Sequence, residues 1–520
     1  QELSKLFLYP DGRIVGLQDT HSSYAIERGC ESEPFLFPAA KIARITNENS
    51  QDPVQLLMYD SPKYGHHHWD ALNINLYAKN AELLPDIGYT HTYNRAWTTS
   101  TLAHNTVTVN GNESDKNTFG GNFLRYCQGG KNGSAIRIED SRCYEETKVY
   151  DREALLIPME ESSCYILDIF RVKGGSRHEY ALNLCADYDT ATECMPGFTG
   201  TSKTLLPEGV RYEKPKEELY KGNAQGHYHA YMHVHDVKFV RLRDEPYRIL
   251  TALTEDSHKG CGLIIHGVKT DGTLYIGKAP SMRLTRQSFY LDHNDTADLY
   301  TMDKLVLRRE GEDLESVFVH VIEPFDEKQV GRIVKAERLH SEGTHPFDAI
   351  VKVEGEGFTD YVFSAYREDL KACVEGIEFC GQQGFVRITE GKEAVIRCLG
   401  ASVKISDKVY AESKRICGKI LNVLSKARND SVNGFEVPFM KTPDLKGQTV
   451  IVHFPDHTTF AFRIQDVYPK EDTLLLDIGD ADPGFIIRDG KSFMTFYPFF
   501  CREGDVLFSV DPVFTYRAPI

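Results

Sequence analysis

Residues 163–172 read SCYILDIFRV, a run of β-branched and aromatic side chains too short for a buried helix and followed by the turn pair Gly174-Gly175. The same texture recurs in YRILTALTE from Tyr247, DKLVLRRE from Asp303 and SVFVHVIEPF from Ser316, with Gly, Asn or Asp between the runs. Long apolar stretches of helical period are scarce. Many strands in succession without alternating helices predict an all-β protein, a large layered antiparallel β-sandwich. A composition change near residues 400–412 precedes TVIVHFPDHTTFAFRIQDVY and DTLLLDIG, which predict a small C-terminal β domain. The expected division is therefore 1–405 for the sandwich and 406–520 for the accessory domain. AESKRICGKILNVLSKARN from Ala411 has some helical texture, but Gly418 and its β-rich surroundings oppose a helix.

A chain of 520 residues has ample material for a core without covalent staples. Its 12 cysteines, from Cys30 to Cys501, form no CxxC pair, so zinc-ribbon and thioredoxin readings fail. Net charge is −16 and no long Lys/Arg run occurs, which argues against nucleic acid or an anionic membrane as partner. No stretch approaches the roughly 18 apolar residues of a membrane helix, and the opening QELSKLFLYPDG lacks the features of a signal peptide. A soluble, truncated chain is the expectation.

The densest chemical signal is Tyr64-Gly65-His66-His67-His68-Trp69-Asp70, followed by ALNINLYA. Read as a strand, it would put His66, His68 and Asp70 on one face, continuing as Leu72, Ile74 and Leu76. Two imidazoles two residues apart can join a carboxylate from a neighbouring strand in a tetrahedral zinc set. Asp86 in LLPDIGY, beyond the turn-prone Lys79-Asn80, and His104 in TLAHNTVTV are the candidates, each expected on a strand near His68. The competing reading is a set of hydrogen-bonded polar histidines without metal. HxHxD also opens the metallo-β-lactamase motif, but the sixth position is Ala71 and not His. A second row, His227, His229, His233 and His235, shares one parity along an expected strand and reads either as a half-exposed face or as a metal or sugar site.

The runs GHHHWDALNINLYAKNAELLPDIGY and RAWTTSTLAHNTVTVNG resemble the heparinase II/III family of polysaccharide lyases, whose HxHxD, pDxG and aHNt elements stand in that order at His66–Asp70, Pro85–Gly88 and Ala103–Thr106. Softer likenesses at YPDGR (Tyr9), GGSRHEYALNL (Gly174), GKAPSMRL (Gly277) and SVFVHVIEPF (Ser316) extend it over roughly residues 1–400. The resemblance implies an (α/α) toroid before the sheets, which completes the active site and is not visible here. It also implies a catalytic role for His66 and a largely structural Zn2+ on His68, Asp86 and His104. The implied activity is β-elimination on a uronate polysaccharide such as heparin, heparan sulfate or alginate, in the periplasm or outside the cell. Tyr93 is a second catalytic candidate, and Tyr89 and Arg95 are candidates for substrate binding, Arg95 by a bidentate carboxylate contact. Rim packing competes as a reading of YTHTYNRAW. The alternative function is a non-catalytic carbohydrate-binding β-sandwich with a structural metal.

Overall fold

The computed structural model describes residues 5–21, 23, 32–160, 163–211, 227–256, 258–283, 286, 292–329, 331–389, 393–406, 408–412 and 414–519. Cys30 lies outside them. The expected all-β architecture is found: several antiparallel sheets, with helix confined to single turns among the described residues. No helix among them is long and apolar enough to cross a membrane, and their eleven cysteines are all unpaired. The chain forms two compact units, one of residues 1–35, 42–121 and 128–332, the other of 36–41, 122–127 and 333–520.

The first unit holds a large antiparallel sheet in which Ser163–Lys173, the run SCYILDIFRVK, lies between Val149–Glu160 and Glu315–Phe325. Ten of its eleven residues are buried. Burial on both faces explains why this strand reads as a continuous apolar run and not as an alternation. Tyr247 and its neighbours belong to His235–Leu253, and Asp303 to Thr301–Glu310.

A smaller sheet in the same unit positions the histidine cluster. Ile42–Thr46, Gln55–Tyr59, Asn73–Ala78 and Ala81–Leu84 pair in that order, all antiparallel. Lys79 and Asn80 turn the last hairpin with φ of 53° and 58°, as a tight two-residue turn requires. Its two strands therefore start and finish at the same end, next to His68 and Asp86.

Two buried imidazoles brace the large sheet. His178 bonds through Nδ1 to Ser316 Oγ at 2.9 Å and through Nε2 to Gly174 O at 2.7 Å. His320 stacks on Tyr180 with centroids 4.2 Å apart and meets the Tyr247 hydroxyl. Burial pushes both down from 6.5 to about 4; it outweighs the Gly174 carbonyl at His178 and Asp168 at His320. A histidine kept neutral by folding binds its proton more readily in the unfolded chain, so its contribution to stability is lost as pH falls from about 6.5 toward 4. The loss is about 3 kcal/mol for each at full shift. A histidine NMR titration should find both rings neutral at pH 5; charging near pH 6.5 would contradict their burial.

In the second unit, Ile333–Leu339, Ala349–Gly355, Phe358–Ser364, Ile377–Thr389, Glu393–Ile405 and Lys408–Glu412 pair in chain order. The residues from Ile416 to Val510 form three small sheets around a core that includes Ile420, Phe435, Val452, Phe462, Leu476 and Phe485. Within AESKRICGKILNVLSKARN the described residues include the end of the strand Lys408–Glu412, the strands Ile416–Lys419 and Asn422–Leu424, and a 3-10 turn at Lys426–Arg428. The final strand, Val513–Pro519, returns to pair with Glu393–Ile405. The two compact units divide at Arg332/Ile333, with residues 36–41 and 122–127 joining the second, and not at 405/406.

Candidate functional site

The HxHxD element is not a strand. Residues 61–70 form a loop, and regular pairing begins only at Asn73. His66 and Leu72 have φ of 65° and 55°, left-handed conformations that break the alternation expected of a strand and cost on the order of 1 kcal/mol or more each. The three residues consequently do not share a face. His66 has a side chain 87 % exposed, while His68 and Asp70 are fully buried. Asp70 accepts a 2.5 Å hydrogen bond from Lys63 Nζ. Burial pulls its pKa up, but the ammonium outweighs this and holds it below the usual carboxylate range.

His104 also lies off the strand, closing the turn Thr101–Ala103 ahead of the short strand Val107–Val109. Asp86 follows Ala81–Leu84 in a turn where its Oδ1 accepts from Gly88 N at 2.8 Å. Gly88 has φ 78°, a conformation that glycine adopts without strain, which is why the motif needs it there. His68, Asp86 and His104 converge nonetheless: one ligand atom from each lies within 4.8 Å of the others, and all three residues are buried.

Asn105 joins these loops. Its N–H donates to Asn73 Oδ1 at 2.7 Å, and its Nδ2 donates to Ile74 O at 2.7 Å and Pro85 O at 3.1 Å. Asn183 Nδ2 spans Pro85 O and Ala103 O at 3.0 and 2.7 Å. Beneath them Arg152, paired twice with Asp168 at 2.8 and 2.6 Å, donates to Leu72 O at 2.9 Å and to Asn105 O. Lys304 Nζ donates to His104 O at 2.9 Å. Buried side chains thus satisfy the backbone carbonyls of three irregular segments, as buried loops require.

The hydrogen bonds set the ring tautomers. His104 Nδ1–H donates to Ser100 O at 2.8 Å, so its Nε2 carries a lone pair. His68 Nε2–H donates to Asp19 Oδ1 at 3.1 Å, so its Nδ1 carries one as well. These two nitrogens face each other at 3.2 Å, with Asp86 Oδ2 3.7 Å from His104 Nε2. Burial pushes the His104 pKa down and outweighs the pull of Asp86, which favours the neutral ligand form. Two lone pairs beside a buried carboxylate form a donor set that could hold a metal ion. Their spacing matches the roughly 3.3 Å between ligand atoms of a tetrahedral site with bonds near 2.0–2.1 Å. Tyr59 OH donates to Asp86 Oδ2 at 2.5 Å and supports the carboxylate from behind.

Asp19 is the residue that sequence reading missed. Its carboxylate, 6 % exposed, accepts from His66 Nδ1 at 3.0 Å, His68 Nε2 at 3.1 Å and Arg95 Nη2 at 2.9 Å. Burial raises its pKa, yet the bonds from His68 and Arg95 win and hold it well below the usual carboxylate range. Arg95 stacks over Tyr89, 4.5 Å from the ring centroid, and its buried Nη1 has no hydrogen-bond partner among the described residues. Tyr89 also meets His21 and His91 edge-on, each at 4.8 Å. Tyr93 is placed differently: 6 % exposed, in an apolar cluster with Trp97 and Met282, its hydroxyl donates to Asp298 at 2.5 Å. That placement favours packing for Tyr93.

The second histidine row does not form a face. His229–His233 is a single 3-10 turn, and only His235 begins a strand. His229 bonds Ala96 O at 3.1 Å and lies 3.4 Å from Glu113, while His227 is exposed. Lys79, at the hairpin turn, pairs with Asp52 at 2.5 Å and Asp326 at 3.3 Å.

The fold and the cluster together define an antiparallel β protein in which two buried histidines and one buried carboxylate converge in a group that could hold a metal ion, near an exposed histidine. Residues 31–209, which hold every member of the cluster except Asp19, match the family model described as heparinase II/III-like, C-terminal. No curated protein matches the chain. Among solved structures it is similar to the heparan sulfate lyase HepC from Pedobacter heparinus, at 14 % identity and a TM-score of 0.43 over 69 % of this chain and 51 % of that one. A heparinase III with methylated lysines gives 13 %, 0.43, 74 % and 50 %, and another heparinase III gives 14 %, 0.42, 69 % and 52 %. The chain spans about half the length of these solved proteins.

Proposed function

We propose that this chain is the sheet-side portion of a polysaccharide lyase that cleaves a uronate-containing polymer by β-elimination, of the heparan sulfate or alginate type. One observation supports this above the rest: an 87 % exposed imidazole is tied through one carboxylate to a buried cation site and to an arginine. A purely structural metal site has no use for such an exposed ring.

In this reading His66 acts on the substrate. Its Nδ1–H is held by Asp19, which leaves Nε2 as a proton acceptor on the solvent side. Nε2 takes the C5 proton, the electron pair moves to form the C4–C5 double bond, and the C4–O bond breaks toward the leaving sugar. Negative charge built up on the uronate carboxylate is met by Arg95, whose side chain is 30 % exposed and held in place by Asp19. The proton for the leaving oxygen would come from a group of the toroid that completes the site. Tyr89 lines the approach.

His68, Asp86 and His104 would hold Zn2+, which when bound braces three loops and fixes the ring of His68. A polymer of this kind is met outside the cytoplasm, so the reading carries a periplasmic or secreted location with it. The test is absorbance at the unsaturated-uronate band, on the longest native chain containing this sequence, with heparan sulfate, heparin and alginate. A steady rise with one of them is expected. No rise with any uronate polymer would leave the non-catalytic carbohydrate-binding reading in its place.

A further inference from the structure

Asp19 stands outside the matched segment and outside the three motifs, yet among the described residues it is the one side chain that hydrogen-bonds His66, His68 and Arg95 together. We infer that Asp19 is the positioning residue of this site, a single carboxylate that sets the tautomers of both histidines and so couples occupancy of the metal centre to the readiness of His66. The inference rests on the reading of the cluster given under the proposed function.

Each oxygen has a distinct task. Oδ1 accepts from His68 Nε2, which turns the lone pair of Nδ1 toward His104 Nε2, 3.2 Å away. Oδ2 accepts from His66 Nδ1 and from Arg95 Nη2. His66 lies in a loop, in a left-handed conformation, with its side chain almost wholly in solvent. Packing therefore cannot orient its ring, and the bond to Asp19 is what does so. Arg95 is steered by the same oxygen on one side and by the Tyr89 ring on the other. A carboxylate is the fitting group, because it accepts on both oxygens and donates on neither. An amide would present an N–H to one histidine and force the wrong nitrogen to carry the proton.

Outer partners of metal-bound histidines typically govern metal affinity by 10–100-fold. Asp19→Ala and Asp19→Asn should therefore weaken Zn2+ binding by roughly that factor, in competition with a chromophoric chelator. Asp19→Glu should recover part of it, and His66→Ala should stay within about twofold of wild type. Long-range 1H–15N spectra of histidine-labelled protein should show His66 with its proton on Nδ1 in the wild type and a mixture of tautomers in Asp19→Ala. Wild-type zinc affinity in both Asp19→Ala and Asp19→Asn would overturn the inference. So would a wild-type His66 protonated on Nε2, a measurement that needs no variant to fold. Neither readout depends on lyase activity, so failure to find a substrate and failure of this role for Asp19 are separate results.

Discussion

Replacing His66 with Ala is expected to lower turnover of the uronate polymer by about 10²–10⁴-fold, the usual worth of a positioned general base. Fold and metal should be untouched. With 87 % of its side chain exposed and a single side-chain partner, Asp19, among the described residues, His66 contributes little to packing, and surface changes of this kind stay within about 0.5 kcal/mol. A kcat that collapses while KM, unfolding midpoint and zinc content hold is the signature of a residue that acts on the transition state. Loss of zinc together with activity would instead make His66 part of the metal centre.

The second large effect falls on Asp86. Asp86→Ala removes the only carboxylate among the three converging residues and strips Tyr59 OH and Gly88 N–H of their acceptor in a fully buried place. We expect zinc retention to fall at least about 100-fold and stability by about 3 kcal/mol or more, since an unsatisfied buried polar group costs ~1–3 kcal/mol. The thermal midpoint gives the cleaner sign. A ligand that binds only the folded chain adds stability that grows with its concentration, so added Zn2+ should raise the wild-type midpoint and leave that of Asp86→Ala unmoved. An equal rise in both would place the bound metal elsewhere.

The strands were legible where burial is simple. Ser163–Lys173 and Glu315–Phe325 carry β-branched and aromatic side chains over their whole length, and no other element suits that pattern. Lys79-Asn80 was legible as a turn for a local reason too, the tolerance of Asn for positive φ. Periodicity failed at the site itself. His66–Asp70 and His104 lie in loops whose backbone is held by distant side chains, Arg152, Asn183 and Lys304, and no local pattern announces such support. The meeting of His68, Asp86 and His104 was anticipated from the order of three short motifs, and the hairpin Asn73–Leu84 supplies its physical cause by returning the chain to its starting end.

Asp19 carried no signal because its partners are 47, 49 and 76 residues away in the chain. A single acid between Gln18 and Thr20 is indistinguishable from a surface residue until the chain is folded. The row from His227 to His235 fails for the opposite reason: parity was read into a segment that folds as a 3-10 turn, where a period of three and not two relates neighbours.

The metal centre is the hinge of the account, and the zinc X-ray absorption edge of the purified protein tests it most directly. One zinc per chain is expected, with two imidazole nitrogens and a carboxylate oxygen at about 2.0–2.2 Å, and with one imidazole lost in His68→Ala. A protein that takes up no zinc, or one whose zinc is held by sulfur, would contradict it.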